Sequence, residues 1–560
     1  MVGLKRRLYD TSDVPNELWS LIGSFASRQT VARLCSVSQH FYLLFSSSLY
    51  SNTVDLPLTA PQSVLLIRTL ATGTDSKSIS ITKPSRNHPH PASLIKQLGL
   101  VDRYGDKASK EKTEIVKALK QPALANGLRT LHWNLVAGVD ELGRIMGVPG
   151  AFPNLKELFV SSGGDIKNFN FVHIPQLEVL RVKLDFYDSF PPNWDYRTAD
   201  RLCFKFAESI QMLPSSSPLL HSLCLDITIT LNDDEFPFDG YLDLVAAINS
   251  IHLPALTSFH ISVDLIPPDF YESDPTSREF RPDTDLSTFL ASHPNISQLA
   301  LNVLGTVLSE EVVHLSRIRS FTGTWDNAVF ICSDPRQPQQ LTLKLVHDDL
   351  FDTSITPPLT EIRLPVCHSL THLQIHTFRV WGTSSKETSE VSPASFLHLA
   401  SSFPNLVHLD LSINRPLENY RDHFTVLTKL QSLRVHHYRA RSLLHYKRPA
   451  KEVFPPDAYI EEFSFIVPSL PTLTRVQINL AADILPASTS CYHLEWDWES
   501  NSEADCSVCR LELEDLYCDR MFEPPDVKLE YSFSVLRPPS GAYLVLDSAH
   551  VEDRHSTTKK

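Results

Sequence analysis

The chain has 560 residues, of which 42% are hydrophobic and 21% charged, and its formal net charge at pH 7 is -14. Length and composition predict either several globular domains or one extended repeat array with a large core. The negative charge argues against nucleic acid as the main ligand, because phosphate binding needs surplus lysine and arginine. No apolar run reaches the ~18 residues that cross a bilayer and no signal peptide is recognised, so we expect a cytoplasmic or nuclear protein without membrane association and with mostly reduced cysteines.

The first predicted elements are three short helices within residues 10–57. Pro15 suits the first turn of a helix because it has no donor N–H, and Glu17 places a carboxylate at the positive helix end. Thr30 is predicted to cap the second helix and Ser38 the third, and SLYSNTVDL follows as an extended segment. These helices are too short to enclose all their apolar side chains, so some must face a partner or the end of a larger domain.

The segment VPNELWSLIGSFASRQTVARLCSVSQHFYLLF resembles the F-box, whose pattern is Leu-Pro-x-Glu-Leu followed by apolar positions on three helices. This sequence has valine for the usual leucine, and ASRQT departs from the acidic or Asp-Pro connection often seen between the first two helices. The resemblance implies docking onto a Skp-family adaptor, which joins an F-box protein to a cullin and a RING ubiquitin ligase. By motif match, the adaptor-binding candidates are Val14, Pro15, Glu17, Leu18, Leu21, Ile22, Phe25, Leu34, Val37 and Phe41.

Residues 58–546 repeat one pattern, which is apolar, two variable, apolar, one variable, apolar. Examples are FPNLKELFV, IPQLEVLRVKL, SPLLHSLCLDI, FPNLVHLDLSI and LPTLTRVQINL. The alternation at the end of each example predicts a short strand with one buried face. Leucines 155 and 177 are 22 residues apart, and leucines 406 and 430 are 24 apart; both spacings are typical of leucine-rich repeats.

This region resembles the leucine-rich repeat family in an irregular form, as in many fungal F-box proteins. The resemblance implies an α/β fold, a curved solenoid with parallel strands on the concave face and helices on the convex face. A sandwich or a set of mixed α/β domains is the alternative, although the hairpin turn signals that it needs are scarce. We expect a polar loop at about 84–112 after the strand SISIT, and a disordered tail over residues 547–560.

The variable residues of each predicted strand project away from the core and can meet a ligand. They are polar, mixed in charge and rich in histidine, which suits a protein target better than a small apolar molecule. The alternative is that this face only keeps the repeats soluble. The target-binding candidates are Arg181, His260, His372, His376, His408, Asp410, Arg434 and His436.

Cysteine chemistry is the remaining candidate. Cys506 and Cys509 form a CxxC pair near Cys518, as zinc sites use, but no second CxxC follows, and ordinary reduced cysteines are the alternative. No phosphate loop, Gly-x-Ser-x-Gly elbow or His-Glu-x-x-His helix is present, so we predict no metal, cofactor or catalytic residue. The predicted function is target recognition for a Skp-cullin-F-box (SCF) ubiquitin ligase. One alternative is a ligase-independent interaction scaffold; another is a hydrolase or transferase, which would have a deep pocket with perturbed ionisable groups instead of an open concave face.

Overall fold

The computed structural model divides the chain into two compact units. One comprises Met1–Asp269 with Thr276–His314, and the other comprises Phe270–Pro275 with Leu315–Lys560. The residues that the structure describes are 15–57, 61–72, 91–102, 106–135, 139–163, 174–185, 196–230, 239–266, 285–303, 308, 317–323, 325–333, 340–345, 365–377, 393–413, 420–438, 466–482, 527–537 and 542–553. The predicted repeat region therefore extends over both units, and each unit is described separately.

The first unit opens with three helices and continues with alternating strands and helices. The helices are α1 (Asn16–Phe25), α2 (Arg28–Val37), α3 (Gln39–Tyr50), α4 (Pro61–Thr72), α5 (Pro91–Leu94), α6 (Asp106–Leu119), α7 (Pro122–Gly127), α8 (Val139–Met146), α9 (Tyr196–Gln211), α10 (Leu213–Ser216), α11 (Asp239–Ser250) and α12 (Ser287–Ser292). The strands are β1 (Asn52–Pro57), β2 (Gln97–Asp102), β3 (Thr130–Leu135), β4 (Glu157–Gly163), β5 (Val179–Asp185), β6 (Ser222–Thr230), β7 (Ser258–Ile266) and β8 (Gln298–Val303).

Strands β1 to β8 lie side by side in chain order, and every neighbouring pair is parallel. Parallel neighbours require the chain to cross back between strands, and among the described residues every such connection contains a helix except the one from β4 to β5. The strand order has no reversal, so each strand contacts only the strands before and after it in sequence. The predicted α/β class with parallel strands is thereby confirmed.

The alternating pattern in the sequence places one apolar ladder inside this sheet. Leu131, Leu158, Leu180 and Leu223 are in register on four successive strands, and each is completely buried. Helices cover this face, as shown by Phe289 of α12, whose ring lies 4.5 Å from that of Phe259 on β7. Burial of one leucine side chain contributes about 1.5–3 kcal/mol, so this ladder stabilises the packing of the helices on this face of the sheet.

The leucine that leads each repeat closes a turn just before the strand. Leu155 N–H bonds to the Phe152 carbonyl (3.3 Å), and Leu406 N–H bonds to the Phe403 carbonyl (3.1 Å). Beyond this turn, one carbonyl of the preceding repeat accepts two N–H groups of the next. The Arg129 carbonyl, for example, accepts from Lys156 (2.7 Å) and Glu157 (3.0 Å). Backbone hydrogen bonds thus fix the register that the side-chain pattern predicts.

The second unit continues the alternation and then changes strand direction. Its strands are β9 (Ser320–Gly323), β10 (Gln340–Leu345), β11 (His372–Thr377), β12 (His408–Ile413), β13 (Ser432–Tyr438), β14 (Arg475–Ala482), β15 (Val527–Leu536) and β16 (Tyr543–Asp553), and its helices are α13 (Trp325–Ser333), α14 (Pro393–Ser402) and α15 (Arg421–Phe424). Pairs from β9 to β14 are parallel. The pairs β14–β15 and β15–β16 are antiparallel, so the all-parallel prediction is wrong at this end. The connection from β15 to β16 is too short for a crossover.

Two predicted irregular segments contain regular structure. Within the predicted loop at about 84–112 lie α5, β2 and the start of α6, because Leu98 and Leu100 of β2 are buried in the sheet. Within the predicted tail over 547–560, β16 continues to Asp553, which pairs with Val527 of β15. Both corrections arise from pairing with a neighbouring strand, which local composition does not reveal.

Candidate functional site

The three N-terminal helices are fixed by caps and a small aromatic core. The Ser27 side chain caps α2 by accepting from Thr30 N–H (3.2 Å), so the prediction of Thr30 as the cap is wrong by three residues. The Ser38 side chain accepts from Phe41 N–H (3.2 Å) and caps α3, as predicted. Residue Thr30 lies at the third position of α2, where its N–H is the donor that a cap satisfies.

The core of these helices is built from side chains of all three. Val31, Phe41 and Phe45 are buried, and Trp19 and Leu34 pack against them. The Trp19 and Phe41 rings meet edge to face with centroids 4.8 Å apart. Phe41 and Leu34 therefore belong to the core between the three helices, and the solvent-facing side of α1 contributes no side chain to this core.

An apolar surface faces solvent on α1 and the end of α2. We call it the α1–α2 apolar surface; it comprises Leu18 (50% exposed), Leu21 (55%), Ile22 (49%), Phe25 (84%) and Val37 (74%). Every residue of α1 keeps part of its surface in contact with solvent. Leu18, Leu21, Ile22 and Phe25 are spaced so that they lie on one face of α1, and exposed apolar side chains grouped in this way mark an interaction site more often than a chance feature.

The remaining adaptor candidates lie beside this surface. Pro15 precedes α1 and its carbonyl accepts from Leu18 N–H (3.0 Å), while Glu17 lies in the first turn with an exposed side chain. Val14 is outside the described residues. Seven of the ten predicted positions are therefore exposed on α1, just before it or at the end of α2. Phe41 and Leu34 instead pack in the core of the three helices.

In the first unit, the strand face opposite the leucine ladder carries a row of stacked side chains. His132, Phe159, Arg181, Cys224 and His260 occupy one register row across β3 to β7. The His132 and Phe159 ring centroids are 4.2 Å apart, and the Arg181 guanidinium carbon lies 5.1 Å from the Phe159 ring centroid. Arg181 is therefore held over an aromatic ring with its charge exposed, a geometry suited to contact with a carboxylate or an aromatic group.

In the second unit, two of the predicted histidines stack on each other. His372 of β11 and His408 of β12 are in register, with ring centroids 4.2 Å apart and an interplanar angle of 25°. Thr371 Oγ1 lies 2.8 Å from His372 Nδ1. Burial lowers the pKa of His372, and the neighbouring His408 lowers it further because two imidazolium charges would repel. The neutral form of His372 is thereby favoured, and a neutral imidazole can both donate and accept hydrogen bonds.

Next to the histidine pair lies a charged row on the same strand face. Arg434 Nε and Nη2 donate to Gln477 Oε1 (3.0 and 2.8 Å), and Arg434 Nη1 lies 3.6 Å from Asp410 Oδ2. This network holds the guanidinium in one orientation across β12, β13 and β14. His376 is in register with Lys344, and His436 with Ser412 and Asn479.

The target-binding candidates predicted from the sequence did not include His132, which belongs to the β3–β7 row of the first unit. His132 lies on β3, whose segment LRTLHWNL contains the same apolar alternation as the repeats that were recognised. Comparison of that segment with FPNLKELFV would have found it. The cysteines 491, 506, 509 and 518 lie outside the described residues.

The described part of the chain holds no group of three or more histidine, cysteine or acidic side chains placed to share a metal ion. Among the helices that the structure describes, none has the length and apolar character of a membrane span. No protein-family model matches the chain, and no curated protein shows significant similarity to it.

Proposed function

We propose that this chain is a target-recognition subunit of a Skp-cullin-F-box ubiquitin ligase. The observation that carries the proposal is the α1–α2 apolar surface, which leaves five large apolar side chains exposed on helices whose sequence resembles the F-box. Such side chains are expected to become the buried anchors of a helix-packing interface with a Skp-family adaptor. Their exposure in the free chain is then explained by an absent partner.

The two strand faces support the second half of the proposal. The Arg181 row in one unit and the His372–Arg434 region in the other present charged and hydrogen-bonding groups that are held in place by their neighbours. Side chains that are ordered before binding lose less entropy when a target docks. The role of this chain in ubiquitin transfer would be positional, because holding a target near the charged enzyme raises the effective concentration of both.

A helical cap on a ligase-independent scaffold is the alternative, and one observation favours it. Helix α3 contacts both α5 and β1, so part of the helical segment closes the first end of the sheet. That role uses α3, whereas the α1–α2 apolar surface lies on the other two helices. The two proposals therefore make opposite predictions for changes confined to α1.

The test is binding of the full chain to a purified Skp-family adaptor, with Leu18→Ala/Ile22→Ala as the variant. Each buried anchor is expected to contribute at least about 1 kcal/mol, so the double change should weaken binding by about 30-fold or more. Leu65→Ala is the matched control, because Leu65 on α4 is also exposed (66%) but lies outside the motif. A folded wild-type chain that does not bind the adaptor would refute the ligase proposal and leave the capped scaffold.

A further inference from the structure

Two cysteines in the second unit form a buried thiol pair that no part of the proposed function uses. Cys332 lies in the last turn of α13, and Cys367 lies just before the turn that leads into β11. Neither of them forms a disulfide, and both are completely buried. Their side chains are hydrogen-bonded to each other, which brings together two sulfurs that are well separated in sequence.

The surroundings of Cys367 stabilise a thiolate. Its sulfur receives hydrogen bonds from the Cys332 thiol and from the backbone N–H groups of Ser369 and Leu370, and Ser369 Oγ lies 3.6 Å away. The hydrogen bond from Cys332 is the largest effect, and together these donors lower the pKa of Cys367 to about 7, against the opposing effect of burial. As the donor in a buried site, Cys332 has its pKa raised. One sulfur is thus the nucleophile and the other keeps its proton.

The location of Cys367 allows a small reagent to reach it after a local opening. Its neighbours Val366 (51% exposed) and His368 lie at the surface, so the backbone on either side of the buried Cys367 side chain borders solvent. The Cys367 N–H is bonded to the Ser402 carbonyl (2.8 Å), which must be released for the turn to open. By contrast, burial raises the pKa of the Cys35 and Cys224 thiols in the first unit.

We propose that Cys332 and Cys367 are a reversible redox site, which hydrogen peroxide converts to an intramolecular disulfide. The Cys367 thiolate attacks one peroxide oxygen, the O–O bond breaks, and the released hydroxide takes up a proton to form water. The Cys332 sulfur then attacks the Cys367 sulfenic acid, and the displaced hydroxide leaves with the Cys332 proton as a second water. Two thiols and one peroxide yield one disulfide and two waters, and a dithiol reductant reverses the step.

The cross-link would tie α13 to the turn that precedes β11. A disulfide between residues this far apart in sequence restricts the unfolded chain, so it should raise the thermal midpoint of the second unit by about 5–10 °C. This effect is independent of adaptor docking, since the helices that carry the α1–α2 apolar surface belong to the other unit.

The test is peptide mapping of the full chain after brief exposure to hydrogen peroxide and alkylation of the remaining thiols. We expect a peptide pair joined through Cys332 and Cys367 that disappears on treatment with dithiothreitol. The same linkage should form when cysteines 491, 506, 509 and 518 are all changed to serine, which excludes exchange through them. Cys203→Ser is the matched control, because Cys203 is a buried cysteine that forms no disulfide and lies outside the pair.

Single variants distinguish the two roles. In Cys332→Ser, a dimedone adduct should accumulate on Cys367, whereas in Cys367→Ser the thiol of Cys332 should stay reduced. Complete alkylation of both thiols in the oxidised wild-type chain would overturn the proposal without reliance on any variant. Equal oxidation of Cys332 in the Cys367→Ser chain would overturn the assignment of Cys367 as the nucleophile.

Discussion

Phe25 gives the sharpest test of whether the α1–α2 apolar surface is a docking surface. Its side chain is 84% exposed at the end of α1, so truncation should leave the free energy of unfolding within about 0.5 kcal/mol of the wild-type value. Its loss should nevertheless weaken binding to a Skp-family adaptor. Unchanged stability together with lost affinity is a result that a structural role cannot produce.

The expected magnitude follows from the exposed area. An aromatic side chain buries about 150–250 Å² when it is enclosed. Since Phe25 is 84% exposed, an interface can cover about 170 Å² of its side chain. At about 25 cal/mol per Å² the upper limit is about 4 kcal/mol. Alanine retains the Cβ and association costs entropy, so we expect Phe25→Ala to cost about 2 kcal/mol, or about 30-fold in Kd.

Isothermal titration calorimetry of the full chain with purified adaptor measures this Kd, and denaturant unfolding measures stability in parallel. Phe45→Ala is the opposite control, because Phe45 is only 2% exposed and its loss should cost about 3–5 kcal/mol of stability. A Kd for Phe25→Ala within threefold of wild type would refute the docking argument. Equal losses of affinity and stability would show that Phe25 is structural.

Three further changes test other parts of the fold. Gly23→Ala should destabilise the helical segment, because an added Cβ would overlap the buried Phe45 ring; thermal unfolding followed by circular dichroism checks this. His293 accepts from Leu253 N–H at Nε2 (2.9 Å), and burial is the main cause of its lowered pKa. Because His293 binds a proton more readily in the unfolded chain, the free energy of unfolding should be greatest above pH ~6.5 and should fall as the pH drops toward the folded-state pKa. Denaturant unfolding between pH 7.5 and 5 measures this pH dependence, which should be smaller in His293→Gln. Arg537 Nη2 donates to three backbone carbonyls of the turn before β14. Arg537→Ala should therefore lower the free energy of unfolding by about 1–3 kcal/mol and speed amide hydrogen exchange in β14 and β15. Arg537→Lys should recover only part of the lost stability.

The strand faces extend the functional argument beyond the helices. Arg181 and Arg434 are each held by a neighbour, one by an aromatic ring and the other by an amide oxygen. Because each guanidinium is already oriented, a target carboxylate could bind it without a large loss of side-chain entropy. The target-binding role of these residues stays a prediction until a target is tested against variants of each.

The sequence by itself determined the repeating core. Period-two alternation after a leading leucine predicted strands such as β4 and β5, and Leu155 and Leu177, which lead them, are completely buried. This pattern is local, since side chains at alternate positions must face the same side of a strand and only one side is apolar. The start of α1 after Pro15 and the Ser38 cap could be predicted for the same reason, because a cap involves residues within one turn.

Only the tertiary structure decided which distant residues meet. The sulfur of Cys332 reaches Cys367, and His372 stacks on His408, because strand register and helix placement bring these segments together. The antiparallel β15 and β16 carry alternation like the other strands, so their direction depends on the chain connection and the neighbouring strand. Local patterns fix which side of an element is buried, whereas contacts across the sheet depend on pairing that the whole unit establishes.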